Sequence, residues 1–158
     1  DGVISAVGLR ANTTLAAAAG LSVGVGIEVD AYLQTSDADI YALGDCAAVA
    51  GQVLQYVAPL LLSARALAKT LSGEQTAVVY PPMPVIIKTP ACPVVAIPPP
   101  AGAEGQWQIS GEQADWTARF TDQHGTLLGF ALLGNKAVAE SRSALVAELA
   151  KNGVSDLA

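Results

Sequence analysis

The residues best placed to do chemistry lie in one run, Thr35-Ser36-Asp37-Ala38-Asp39-Ile40-Tyr41-Ala42-Leu43-Gly44-Asp45-Cys46-Ala47. Ile40 to Leu43 is a compact apolar stretch bounded by Asp39 and Gly44, which predicts a buried strand. Gly44 then lets a ligand approach the backbone where a side chain would block it. Asp45, at the carboxyl end of that strand, is expected in the crevice where open α/β sheets bind ligands. Its carboxylate is an acceptor for hydroxyl donors of the kind a sugar or polyol carries. A bare Gly-Asp pair is most often a turn former. Here the pair follows an apolar strand pattern and precedes small residues.

Elements on both sides are expected to hold this run in place. Val3 to Val7 reads as a short buried strand ending at Gly8. Asn12, Thr13 and Thr14 offer capping oxygens to a short helix, Leu15 to Ala19, stopped by Gly20. Ile27 to Val29 is a brief strand. Pro59 to Leu71 is the clearest helix: Leu60, Leu61, Ala64, Leu67, Ala68 and Leu71 recur at helical spacing, Pro59 suits the first turn, and Gly73 follows the end. From Tyr80 the texture changes to a proline-rich stretch reaching Pro100, with β-branched strands at Val85 to Lys88 and Val94 to Ile97. Trp107 to Ile109 and Trp116 to Thr121 continue as strands. Asp122-Gln123-His124-Gly125 is a turn, Thr126 to Leu133 returns as a strand, and the two form a hairpin. Lys136 to Ala150 reads as a closing helix. A boundary is placed near residue 78, dividing 1–78 from 79–158.

The totals narrow the function classes. With 52% apolar residues in 158, the chain can bury a core and is not disordered. Charged residues are only 14%, well below the usual quarter or so, so part of the surface is expected to be covered by other protein. A net charge of −6 opposes nucleic-acid binding, which needs clustered Lys and Arg. Cys46 and Cys92 form no C-x-x-C, so neither a zinc cage nor a local redox disulfide is indicated, and a reducing, cytoplasmic compartment fits. The longest apolar segment, Val57 to Leu71, is interrupted by Pro59, Arg65 and Lys69 and is no membrane span. Asp1 opens directly onto an apolar run with no initiator Met and no leader, and the chain is expected to continue upstream.

Thr35 through Asp45 resembles the second FAD fingerprint of the two-dinucleotide-domain flavoprotein reductases: a Thr, a spacer, an apolar strand, then Gly-Asp. Asp1 to Thr13 looks like the strand by which that family leaves its NAD(P)H domain, with Ala11 where the family often has Pro. Tyr56-Val57-Ala58-Pro59-Leu60, Ala64 to Ala68, Met83-Pro84-Val85, Lys88-Thr89-Pro90-Ala91-Cys92-Pro93 and Gly105-Gln106-Trp107 are similar to the bacterial rubredoxin reductases within it. The resemblance implies an α/β fold: a fragment of the FAD- and NAD(P)-binding, Rossmann-like domains plus a small α+β C-terminal domain. It implies that Asp45 binds the ribitol of FAD beside Gly44, that the backbone at Val57 faces the flavin, and that Lys88 contacts it. The expected activity passes hydride from NAD(P)H, with NADH favoured, to FAD and then single electrons to rubredoxin. The partners are rubredoxin and the N-terminal remainder of the same enzyme.

Each assignment has a plainer alternative in the residues alone. Val57 by side chain is a core residue, and Lys88 is a guard on an edge strand. Cys46 and Cys92 pack rather than react, His124 is solvated, and Trp107 and Trp116 pack at strand positions. No catalytic side chain is assigned. No G-x-G-x-x-G stands in the chain; Gly20 to Gly26 is glycine-rich with the wrong spacing, so this chain alone is expected to transfer no hydride. Other members of the class remain open as readings: a ferredoxin-type reductase, a nitrite reductase flavin subunit or an NADH oxidase. A non-catalytic, partner-binding domain is the alternative outside it.

Overall fold

The computed structural model describes residues 2–87 and 89–154. The chain divides after Tyr80 into two compact units.

The first unit contains α1 (Thr14–Ala18), β1 (Ile27–Val29), β2 (Ala47–Val49) and α2 (Val57–Leu71). β1 and β2 pair in parallel, with Ile27 opposite Ala47. Ala47, Ala48 and Val49 are all buried, and these small side chains let the surrounding segments close over the pair. Gly26 has no room for a side chain: a Cβ there would stand 2.8 Å from the Cys46 carbonyl oxygen and 2.8 Å from Val53. α2 buries Pro59, Ser63, Ala66 and Leu67, one stripe at helical spacing. The Ser63 and Tyr80 hydroxyls meet at 2.6 Å, so the two polar atoms brought into this core satisfy each other.

Two strand expectations fail in this unit. Residues 3–7 pair with nothing, and Val3 and Ile4 are 99% and 94% exposed. An apolar run becomes a strand only where a neighbour takes its backbone groups, and the described residues offer none. Residues 40–43 also form no strand, because local turn chemistry bends them back. Asp37 Oδ1 accepts from the Asp39 N–H at 2.9 Å and the Asp37 carbonyl accepts from the Ile40 N–H at 3.2 Å. The run then folds onto residues 33–35, with Tyr41 opposite Gln34 in a single antiparallel bridge. The buried strand of this region is β2, which begins two residues after Asp45.

The second unit is a five-stranded antiparallel sheet in the order β3 (Val85–Ile87), β4 (Val94–Ile97), β7 (Leu127–Leu133), β6 (Asp115–Thr121), β5 (Gln106–Glu112), with α3 (Asn135–Lys151) on one face. Val95, Ile97, Phe130 and Leu132 meet Leu145 and Leu149 of α3 in its core. The prolines stand outside the strands, as their missing N–H requires. β5 runs four residues longer than Trp107 to Ile109, taking in Gln106, Ser110, Gly111 and Glu112. These residues have little strand preference of their own, and their pairing with β6 overrides it. The turn at 122–125 forms as expected: Asp122 Oδ1 accepts from the N–H groups of His124 and Thr126, both at 2.8 Å. No helix among the described residues is long and apolar enough to cross a membrane.

Candidate functional site

Gly44 and Asp45 lie in the turn between the Tyr41 bridge and β2, not at the end of a strand. Gly44 has φ +81°, in the left-handed region that glycine adopts without cost. A Cβ on it would stand 3.1 Å from Leu60 Cδ1, so the Gly44 backbone is seated on the first turn of α2. The Asp45 side chain is exposed, and its carboxylate accepts no hydrogen bond from a described residue. The Asp45 carbonyl accepts from Gln55 Nε2 at 3.3 Å. Gln55 precedes α2 by two residues, so this bond ties the Gly-Asp turn to the start of the helix. Gln55 was not among the residues expected at the site, and Leu60 was expected only as part of the α2 segment. The only signal for them was a polar residue and a large apolar one flanking a helix start.

The helix end carries its own electrostatics. Tyr56, the N-cap residue, is extended (φ −153°, ψ 170°), and no side chain caps the helix. Pro59 has no N–H to satisfy, which leaves Val57 and Ala58 as the outward backbone donors of the first turn. A 15-residue helix carries roughly half a positive charge at this end. Val57 is 69% exposed, so its side chain is not core in this unit. Cys46 is half-buried and its thiol donates to the Leu43 carbonyl at 3.6 Å, the packed role expected of it. The structure therefore brings Gly44, Asp45 and Val57 to one place through Gln55 and Leu60. Lys88 lies outside the described residues. His124 is exposed in its turn, and Trp107 meets Phe120 edge-on at 5.3 Å between ring centres.

These groups suit FAD as a ligand on two counts. An exposed carboxylate with free lone pairs accepts polyol hydroxyls. An uncapped helix N-terminus stabilises the electron-rich edge of a ring. No group of three or more His, Cys, Asp or Glu suited to a metal occurs among the described residues.

Two family models match in series. Residues 1–71 match the pyridine nucleotide-disulphide oxidoreductases, and residues 77–149 match the rubredoxin binding C-terminal domain. Each match covers a little under half of the chain. The chain is 56% identical over 140 residues to the rubredoxin-NAD(+) reductase of Alcanivorax borkumensis, covering 89% of this chain and 36% of that protein. It is 47% identical over 137 residues to the protein of the same name from Acinetobacter baylyi, covering 87% of this chain and 35% of that one. Among solved structures, a ferredoxin reductase of Rhodopseudomonas palustris superposes with a TM-score of 0.73 at 28% identity, over 96% of this chain and 40% of that one. The mixed helix and sheet are thus those of the two-dinucleotide-domain flavoprotein reductases, as the resemblance implied. The chain spans about a third of the length of the curated relatives it matches.

Proposed function

We propose that this chain is the C-terminal part of an FAD-dependent NADH:rubredoxin oxidoreductase. Residues 1–78 would close the nicotinamide domain and return into the flavin domain, and residues 79–158 would form the acceptor-binding domain. The observation that carries the reading is the order of the two matches: an oxidoreductase segment ending in α2, followed directly by a rubredoxin-binding segment. FAD, when bound, supplies the exchange between a two-electron donor and a one-electron acceptor. NADH is the preferred form of NAD(P)H because both relatives are named for NAD(+). The identity to those relatives favours rubredoxin over a ferredoxin-type acceptor.

In this reading Asp45 accepts hydrogen bonds from the ribitol hydroxyls, and Gly44 keeps that approach clear of a side chain. The Val57 and Ala58 N–H groups face the flavin pyrimidine edge. Lys88 is the cation that the resemblance puts near the same edge, where it would favour the anionic reduced form. Cys46 and Cys92 are both free thiols, which suits a cytoplasmic location. The test is Asp45→Ala in an enzyme extended to the length of its relatives. A hydrogen bond to a charged group contributes about 1.5–3 kcal/mol, so the purified variant should lose most of its flavin absorbance while its far-ultraviolet circular dichroism stays unchanged. A stoichiometric flavin content would refute the role of Asp45.

A further inference from the structure

The sheet of the second unit has one face covered by α3 and one that no helix covers, closed only at the Phe120 and Gly129 end, where Pro98 and Pro99 cross it. Val95, Ile97, Phe130 and Leu132 project toward α3. Alternate residues along each strand project the other way, and residues directly opposite in an antiparallel ladder share a face. The ladder therefore puts Ile87 opposite Val94, Trp116 opposite Leu133, Ile109 opposite Ala118 and Trp107 opposite Phe120 on the side away from α3. Among the described strand residues, no charged one falls on that side. Glu112, Asp115 and Arg119 all belong to the α3 side, where Arg119 Nη2 pairs with Glu148 Oε1 of α3 at 2.6 Å. Ile109, Trp107 and Trp116 remain 66%, 46% and 40% exposed. The outer surface of α3, by contrast, carries exposed Glu140, Arg142 and Lys151.

We infer that this uncharged sheet face is the surface on which the acceptor, rubredoxin, docks. The inference rests on the proposed function and adds the surface to it. Residues 77–149, the segment matched to rubredoxin binding, include all five strands. Within that segment this face is the apolar one, and it has the composition of an interface centre: aromatic and branched side chains, with charge excluded. The core between the sheet and α3 contains none of these side chains. Contacts between electron carriers are small, below about 1,200 Å² in total, and a few aromatic anchors carry most of their energy. The geometry assigns those anchors to Trp107 and Trp116, with Ile109 between them. The partner's matching patch is apolar, and its charges lie outside it.

The experiment uses the FAD-loaded enzyme at the length of its relatives, with rubredoxin and ferricyanide as acceptors. Ile109→Glu puts a charge on the face away from α3, and Gln108→Glu puts the same charge on the α3 face of the same strand. Ile109→Glu should raise the KM for rubredoxin at least about tenfold and leave ferricyanide reduction and flavin content unchanged. Gln108→Glu should change neither acceptor. In the unmodified enzyme, hydroxyl-radical oxidation of Trp107 and Trp116 should fall when rubredoxin is added. An unchanged KM overturns the inference while the proposed function stands. Loss of flavin or of ferricyanide reduction in Ile109→Glu, or tryptophans already protected without rubredoxin, shows that the rest of the enzyme covers the face and also overturns it. A change in molar mass by light scattering assigns the face to a second copy instead. If the unmodified enzyme does not reduce rubredoxin, the proposed function fails and the inference with it.

Discussion

At the scale of single residues, the site depends on groups whose partners are unequal. Among the described residues Asp45 is held by its backbone alone: its carbonyl is fixed by Gln55, while its carboxylate accepts from none of them. Ser63 and Tyr80 show the opposite case, two buried hydroxyls that satisfy each other at 2.6 Å. Tyr80→Phe removes one hydroxyl and leaves the other buried without a partner, which costs about 1–3 kcal/mol. The urea midpoint of the variant should fall accordingly. Adding Ser63→Ala should restore most of the loss, because an apolar pair of similar shape needs no hydrogen bond. A double variant as unstable as the single one would show that the hydroxyl pair is not the source of the effect. The Gly-Asp pair stood out in the sequence because a Gly-Asp after an apolar run is a local pattern. The bond from Gln55 was not, because it joins residues ten apart through a turn whose path is set by tertiary packing.

At the scale of elements, α3 begins without a cap of its own. Its N-cap residue, Gly134, has no side chain, and Asp115 of β6 supplies the acceptor instead: Oδ1 takes the Lys136 N–H at 2.8 Å and the Ala137 N–H at 3.1 Å. Gly134 has φ +95°, and a Cβ on it would collide with Asp115 Oδ1 and the Ala114 carbonyl, so the cap fits only against glycine. Asp115→Ala should lower stability by about 0.5–2 kcal/mol, read as a drop in Tm; an unchanged Tm would mean that solvent caps the helix equally well. Asp122 gives a pH signature in the neighbouring hairpin. The Thr126 N–H does most to hold its carboxyl below the ordinary range, desolvation opposes it, and the His124 N–H adds to the lowering. A carboxylate with a depressed native pKa stabilises the fold above its unfolded pKa, and that contribution is lost as pH falls through the native value. Asp122→Asn should therefore be less stable than the parent at neutral pH, with the gap closing in strong acid. A gap independent of pH would remove the carboxylate's charge from the account.

The elements read correctly were those with local signatures. α2 has a helical stripe closed by Pro59 and Gly73, β4 is a β-branched run between prolines, and the turn before β7 is set by Asp122 and Gly125. The two expected strands that failed, residues 3–7 and 40–43, are apolar runs of the right length. An apolar run states that burial is favourable; it does not state whether a partner strand is within reach. For residues 40–43, Asp37 and Thr35 had already committed the backbone to a turn.

At the scale of the whole molecule, the proposed function puts a flavin half-site in the first unit and acceptor binding in the second. The chain's net charge of −6 and its low charge content mean that it supplies no long-range attraction to an acidic carrier. Docking driven by an apolar centre should then slow only modestly with added salt, unlike an electrostatically steered encounter. The acceptor is tested by stopped-flow oxidation of the NADH-reduced, full-length enzyme by rubredoxin and by a ferredoxin of similar charge. Rubredoxin should be reduced much faster at every ionic strength. Faster reduction of the ferredoxin would contradict the proposed acceptor.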